Sequence, residues 1–268
     1  MSEIVRNSLK ERLARGEVAS SMTVRLTRGI EIAQLAKTAG FDSLYIDLEH
    51  SSLSLETTSQ ICCAALSCGI APLIRVPQLE LVQRVLDGGA LGIIVPDVRN
   101  ASQAREAVRA AKYPPQGERG FATALPHFAY RSLPAKQQYS TLNDATMVIV
   151  QFESTEAVEC ADEIFAVEGV DMALFGTNDM TADMGIPGDY EHPRVRTAYA
   201  HAIAAARKHG KHVGVGGLGA RPQLTAEFVR MGARYVSTGT DLGFLLGAAT
   251  AQANWVRGLE VLAPSAPH

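Results

Sequence analysis

Four short apolar runs in this chain each end in groups able to move protons or hold charge: Tyr45-Ile-Asp47-Leu-Glu49-His50, Leu73-Ile-Arg75-Val-Pro77, Val150-Gln151-Phe-Glu153-Ser154 and Leu174-Phe-Gly176-Thr-Asn178-Asp179. Glu153 and Asp179 have no cation nearby in sequence. Two like charges facing one another are costly unless they share a cation or a proton. Oxygen ligands of this kind suit Mg²⁺ or Mn²⁺ better than Zn²⁺, with Co²⁺ a further candidate. A metal with only two protein ligands has room for a bidentate α-keto acid. The plainer reading makes each carboxylate a helix cap, because Glu153 precedes Ser-Thr-Glu and Asp179 precedes Met-Thr-Ala. Gln151 and Glu153, two apart on a strand, share one face, and together with the Gly176 turn they favour ligation.

His50 is the side chain best matched to proton abstraction near neutral pH, and a carboxylate beside it would raise its basicity. On position alone, an ordinary polar loop histidine that caps or solvates is the better reading. Arg75 brings a fixed positive charge that could stabilise an enolate, or it could pair with Asp47 or Glu49. Asp87, in a helical stretch, reads most simply as part of an exposed helix face.

These groups need a scaffold that brings strand ends together. Candidate strands at Ser20–Val24, Ser43–Asp47, Ala71–Val76, Gly92–Val95, Met147–Phe152, Asp171–Phe175, His212–Val215 and Tyr235–Thr238 alternate with helical stretches, the pattern of a parallel sheet with crossover helices. Glycines at Ala39-Gly40-Phe41, Cys68-Gly69-Ile70 and Met231-Gly232-Ala233 supply the left-handed turn from helix to strand. Eight strands with that rhythm, and no G-x-G-x-x-G after the first, predict a closed α/β barrel of the (β/α)8 TIM type. Its catalytic groups would lie at the C-terminal strand ends, where the four ionisable exits fall. The stretch from Tyr113 to Asp144 breaks the rhythm and reads as a long loop, either a lid or subunit contact, or a pair of short helices. The apolar helix after Leu242 either closes the barrel or docks on a partner, and ends in a Pro/Ser-rich finish.

The chain's 268 residues suit one such barrel, 1–268, which takes about 250 residues. With 47% hydrophobic and 20% charged residues, a large core is available. A net charge of −3 speaks against a nucleic-acid partner. No apolar run reaches the length of a membrane span, the N-terminus lacks a secretory pattern, and Cys62, Cys63, Cys68 and Cys160 have no metal-finger spacing; a cytoplasmic protein is expected.

The exits also spell a family pattern. Phe41-Asp-Ser-Leu-Tyr-Ile-Asp-Leu-Glu-His50, Pro72-Leu-Ile-Arg75-Val-Pro, Val85-Leu-Asp87-Gly-Gly-Ala, Lys112-Tyr-Pro-Pro-Gln-Gly-Glu-Arg-Gly120, Gln151-Phe-Glu-Ser154 and Val167-Glu-Gly-Val-Asp-Met-Ala-Leu-Phe-Gly176-Thr-Asn-Asp179 run in order over most of the chain. Together they resemble the class II pyruvate aldolases, relatives of 4-hydroxy-2-oxoheptanedioate aldolase and 2-dehydro-3-deoxyglucarate aldolase. The resemblance implies reversible retro-aldol cleavage of a 4-hydroxy-2-oxo acid to pyruvate and an aldehyde. It also implies a homo-oligomer, a hexameric trimer of dimers, with the C-terminal helix exchanged between subunits. On that likeness His50 is the general base, with Asp47 and Asp87 raising its basicity, and Arg75 is the enolate stabiliser. Glu153 and Asp179 are the metal ligands; Gln151, Gly176, Asn178 and Asp179 form the pyruvate site; Arg119 borders the aldehyde side. The family usually has glycine where Leu48 stands, and Gly-Pro-Ala/Ser-Asp where this chain has Gly176-Thr-Asn-Asp179. Both departures bear on the space left for substrate.

Rival readings keep the barrel. One is an oxaloacetate decarboxylase or a citrate-type carbon–carbon bond-forming enzyme. A second is a CoA-thioester lyase, for which no basic patch is evident, and a third is a non-catalytic scaffold.

Overall fold

Strand alternation divides this chain's apolar residues into two cores and leaves the ionic groups at one end. The computed structural model describes residues 5–260; the first residues of the chain and the Pro/Ser-rich finish, 261–268, lie outside them. Eight parallel strands close into a barrel in sequence order: β1 (Ala19–Val24), β2 (Ser43–Asp47), β3 (Ala71–Arg75), β4 (Gly92–Val95), β5 (Met147–Phe152), β6 (Met172–Gly176), β7 (His212–Gly216) and β8 (Tyr235–Thr240). Each expected strand is present, displaced by at most two residues at an end. Such shifts are ordinary, because the last ladder bond rather than the apolar pattern sets a strand's end.

Helix α1 (Ser8–Ala14) precedes the barrel, and α2 (Glu31–Thr38), α3 (Leu55–Cys68), α4 (Val82–Asp87) and α5 (Ala101–Ala111) return the chain between the first strands. After α6 (Ala135–Ala145) come the short α7 (Thr155–Glu159) and α8 (Ala161–Phe165), then α9 (Thr177–Asp183), α10 (Pro193–Lys208), α11 (Pro222–Met231) and α12 (Asp241–Glu260). Gly40 and Gly69, at φ 92° and 72°, make the left-handed helix ends expected of them.

Outward strand residues such as Val24, Ile46, Ile74, Val148, Phe175 and Val215 pack against the helices. Inward residues follow a different course. At the N-terminal strand ends they are apolar, with Leu73, Ile94, Met147, Ile149, Met172, Leu174 and Tyr235 in one cluster. Two residues further along β2, β3 and β5, the same inward face presents Asp47, Arg75 and Gln151. The barrel is thus filled from below and ionic above.

The stretch 113–144 is not a lid. It holds a 3-10 turn at Pro126–Phe128 and leads into α6, close to the pair-of-helices reading. Tyr113, Leu125, Phe128 and Leu142 join the apolar cluster of the strand bases, alongside Leu9 and Leu13 of α1. Asn7 ties this plug down by donating to the carbonyls of Leu91 and Ala145 (3.2 and 2.8 Å). The irregular segment supplies a floor, because a barrel's open base must be covered by apolar surface.

Beyond the buried Asp241 that starts it, helix α12 is exposed from Leu242 to Leu259, with Leu245, Leu246 and Trp255 each about 60% accessible. It leaves the barrel rather than closing it. No helix among the described residues is long and apolar enough to cross a membrane.

Candidate active site

The mouth centres on Asp47, which is fully buried between two arginines. Register pairs Asp47 directly with Arg75 on the neighbouring strand, so a bidentate contact forms: Arg75 donates from Nε to Oδ1 (2.9 Å) and from Nη2 to Oδ2 (2.6 Å). Arg75 Nη1 lies 2.8 Å from Glu49, and its guanidinium sits 5.6 Å from the centre of the Tyr45 ring. Burial opposes ionisation of Asp47, but the Arg75 hydrogen bonds and charge override it and hold its pKa below the usual range. Arg75 is therefore ion-paired and at the same time lines the mouth.

His50 follows at the rim, more than half exposed, with its backbone N–H on Asp47 Oδ1 (3.2 Å) and its Nε2 3.8 Å from Glu49. Asp47 thus sets the turn that carries His50. Leu48 packs, half-buried, against the apolar layer outside the barrel and does not line the mouth. It leaves the space above the strands untouched, contrary to what its position beside His50 suggests, because alternation sends residue 48 outward while 47 points in.

Across the barrel, Glu153 Oε1 accepts from Gln151 Nε2 (2.7 Å) and Oε2 from the Asp97 backbone N–H (2.8 Å). Gly176 must be glycine for this: a Cβ there would lie 2.6 Å from Glu153 Oε1 and 2.9 Å from Gln151 Nε2. The helix-cap readings do not hold. Ser154, not Glu153, caps α7, and Asp179 stands in the first turn of α9 without a cap bond. Burial and the Asp179 and Glu49 charges outweigh the Asp97 N–H and the Arg75 charge, raising the Glu153 pKa to about 7. A carboxylate so destabilised, beside a second carboxylate and a buried Gln151 Oε1 lacking a hydrogen-bond partner, suits a hard divalent cation. Among the described residues no three or more His, Cys, Asp or Glu side chains gather to hold a metal ion, at this mouth or elsewhere. Asn178 turns its side-chain oxygen to the Tyr190 hydroxyl (2.7 Å).

A cavity of about 400 Å³ lies at this mouth, lined by Tyr45, His50, Arg75, Gln151, Gly176, Asn178 and Asp179; Glu153 and Asp47 are not in its wall but contact the lining residues Gln151 and Arg75. It also holds Thr23, Arg25 and Ser237, which the reading of strand exits passed over. The rule that linked Gln151 to Glu153 would have found Arg25, two residues beyond the inward Thr23. The first strand's exit simply carried no carboxylate to draw notice.

Two expected members are elsewhere in this chain. Asp87 is the last residue of α4, which runs back toward the base to feed β4, and it is bound to Arg119 (2.7 Å). Arg119 stacks over Tyr113 of the plug at 4.6 Å from the ring centre. Both therefore lie on the base side of the barrel, and the chain does not bring them to its own His50.

Comparison with known proteins agrees with this geometry. The family described as HpcH/HpaI aldolase/citrate lyase matches residues 27–248. The 4-hydroxy-4-methyl-2-oxoglutarate aldolase of Hapsidospora irregularis is 43% identical over 216 residues, covering 79% of this chain and 80% of that protein. The 4-hydroxy-2-oxo-heptane-1,7-dioate aldolase of Escherichia coli is 37% identical over 250 residues, covering 92% and 94%. The crystal structure of an HpcH/HpaI aldolase from Desulfitobacterium hafniense superimposes with a TM-score of 0.88 at 31% identity, covering 98% of this chain and 100% of that one. Barrel, mouth and likeness converge: the chain belongs to the HpcH/HpaI aldolase/citrate lyase family and is a carbon–carbon lyase of the aldolase kind.

Proposed function

We propose that this chain reversibly cleaves 4-hydroxy-2-oxo acids into pyruvate and a carbonyl partner. The observation that carries the reading is the set of three groups at one mouth: the Glu153 and Asp179 carboxylates, the Asp47–Arg75 pair, and His50. Glu153 and Asp179 would hold a divalent cation, Mg²⁺ or Mn²⁺, which when bound supplies Lewis acidity to the keto acid.

The remaining work falls to side chains. His50, open to solvent at the rim, takes the proton of the C4 hydroxyl as the C3–C4 bond breaks and the carbonyl partner forms. The electron pair passes into pyruvate as its enolate, whose oxygen is faced by the outer N–H groups of Arg75. Asp47 and Glu49 fix the guanidinium so that little reorganisation accompanies this charge. C3 takes a proton from water while His50 gives up its own to water, which completes pyruvate and restores the base, and the reverse sequence makes the bond. Gln151, buried and two residues before Glu153, orients the keto acid. Asp87 and Arg119 take no part at this chain's own mouth.

Pyruvate release from a 4-hydroxy-2-oxo acid is expected to fall at least about 10²-fold after chelator treatment and to return with Mn²⁺. A rate indifferent to chelator would end this reading.

The same reading includes a homo-oligomer in which α12 is covered by another copy. Support comes from Leu242, Phe244, Leu245, Leu246, Trp255 and Val256, all exposed on one projecting helix. Isolated exposed apolar residues are common, but a contiguous apolar helix surface marks an interface. Leu245→Asp combined with Trp255→Asp is expected to reduce the mass measured by light scattering to that of one chain. An unchanged mass would remove α12 from the assembly.

A further inference from the structure

Arg25 is tied to the site already described but has no role in the chemistry assigned above. It follows β1 and lines the same cavity. Its Nε donates to Asp47 Oδ2 at 2.6 Å, while Nη1 and Nη2 make no hydrogen bond among the described residues. Arg75, by contrast, uses each of its three nitrogens for Asp47 or Glu49 and keeps only the remaining Nη hydrogens for the enolate. Arg25 is therefore a guanidinium at the mouth whose outer edge is free to take a carboxylate in the paired, two-pronged manner that Arg favours.

Its segment is held in place. Asp241, at the start of α12, accepts from the backbone N–H groups of Arg25, Leu26 and Thr27 (3.0, 3.0 and 2.7 Å) as well as Leu242 (2.9 Å). Burial opposes the Asp241 charge, but those N–H donors outweigh it and keep the carboxylate ionised. A side chain whose backbone is clamped and whose Nε is anchored loses little freedom on meeting a ligand.

Position decides which part of the substrate it meets. In a ring of eight strands, β1 stands opposite β5, the strand of Gln151 and Glu153, with the His50 exit of β2 beside it. A keto acid held at the β5 and β6 exits therefore points its C4 end toward β1. The charge of Arg75 is balanced by Asp47 and Glu49, and that of the cation by Glu153 and Asp179, so a second carboxylate needs a further cationic group on that far wall.

We propose that Arg25 is a specificity-determining residue that binds a carboxylate on the carbonyl-partner half, so that the preferred substrates are dicarboxylic 4-hydroxy-2-oxo acids. This rests on the aldolase reading above. The test compares kcat/KM, with Mn²⁺ present, for 4-hydroxy-4-methyl-2-oxoglutarate and for its C5 amide, which has nearly the same shape but no second charge. Wild-type protein should favour the dianion, and Arg25→Gln should shrink that preference by about 10- to 100-fold, with partial recovery in Arg25→Lys. Deuterium exchange at C3 of pyruvate, which needs no partner half, is the arm that a purely structural role would move. A preference that survives Arg25→Gln overturns the proposal and leaves the aldolase reading standing. Exchange that falls in step with cleavage also overturns it, by making Arg25 a support for Asp47. Wild-type protein that cleaves neither substrate overturns both.

Discussion

Metal-stripped protein carrying Glu153→Gln is expected to melt at a higher temperature than the parent at pH 7 and above, and to be nearly inactive when metal is supplied. Both effects arise from one cause. In the fold, Glu153 ionises only at about 7, because burial and the Asp179 and Glu49 charges outweigh the Asp97 N–H and Arg75. In the unfolded chain it ionises in the ordinary range near 4.3. Between those two values the folded state binds the extra proton, so the stability of the metal-free protein falls as pH rises from about 4 to about 7 and is level above that. The whole penalty is of order 3 kcal/mol, an upper figure for a partly solvated group. Glutamine keeps the shape without the charge and removes that penalty. A bound divalent cation reverses the account, since it requires both carboxylates ionised. Its affinity should weaken roughly tenfold for each pH unit below about 7, and Glu153→Gln should lower kcat/KM by at least about 10³-fold. Thermal melts with and without Mn²⁺, repeated at pH 5 and pH 8, check both halves. A glutamine variant less stable than the parent at pH 8 without metal would show that Glu153 is not a strained carboxylate.

How much of this was legible beforehand follows from what sequence patterns encode. Strand positions were readable because alternation of inward and outward residues is local. The same rule put Gln151 beside Glu153 and Asp47 beside Arg75, since adjacent parallel strands end at similar heights. The plug was less legible. The segment from Tyr113 to Asp144 has irregular spacing because it covers the strand bases with scattered anchors, Tyr113, Leu125, Phe128 and Leu142, rather than with one regular face. Asp87 and Arg119 illustrate the other limit. A motif fixes residue types along the chain, but their placement depends on which way a helix runs, and α4 carries Asp87 away from the mouth. Arg25 was hidden for the opposite reason: it stands at a strand exit, but its partner Asp47 is 22 residues away and nothing local signals the pairing.

That shared carboxylate gives the second large effect. Arg75→Lys is expected to lower kcat/KM by about 10²- to 10³-fold although the positive charge is retained. A lysine ammonium cannot span both oxygens of Asp47 and reach Glu49 while presenting a donor to an enolate, because it lacks the planar fork. The loss should fall on kcat more than on KM, since an enolate oxygen carries its charge in the transition state and not in the bound substrate. Stability should respond differently. Asp47 is buried, and removing the sole partner of a buried charge typically costs about 3–5 kcal/mol. Here Arg25 stays on Oδ2 when Arg75 is lost, so Arg75→Gln alone should cost only about 1–2 kcal/mol, a few degrees in Tm. Adding Arg25→Gln leaves Asp47 with neither guanidinium, and the pair should cost more than the two single changes summed. The deficit should be largest above the ordinary aspartate range. There Asp47 is ionised in both states and its depressed folded pKa counts in full; the contribution is lost as acid protonates it. Strict additivity across that double-mutant cycle would mean that the two arginines do not compete for one carboxylate, and the central contact of the mouth would have to be redrawn.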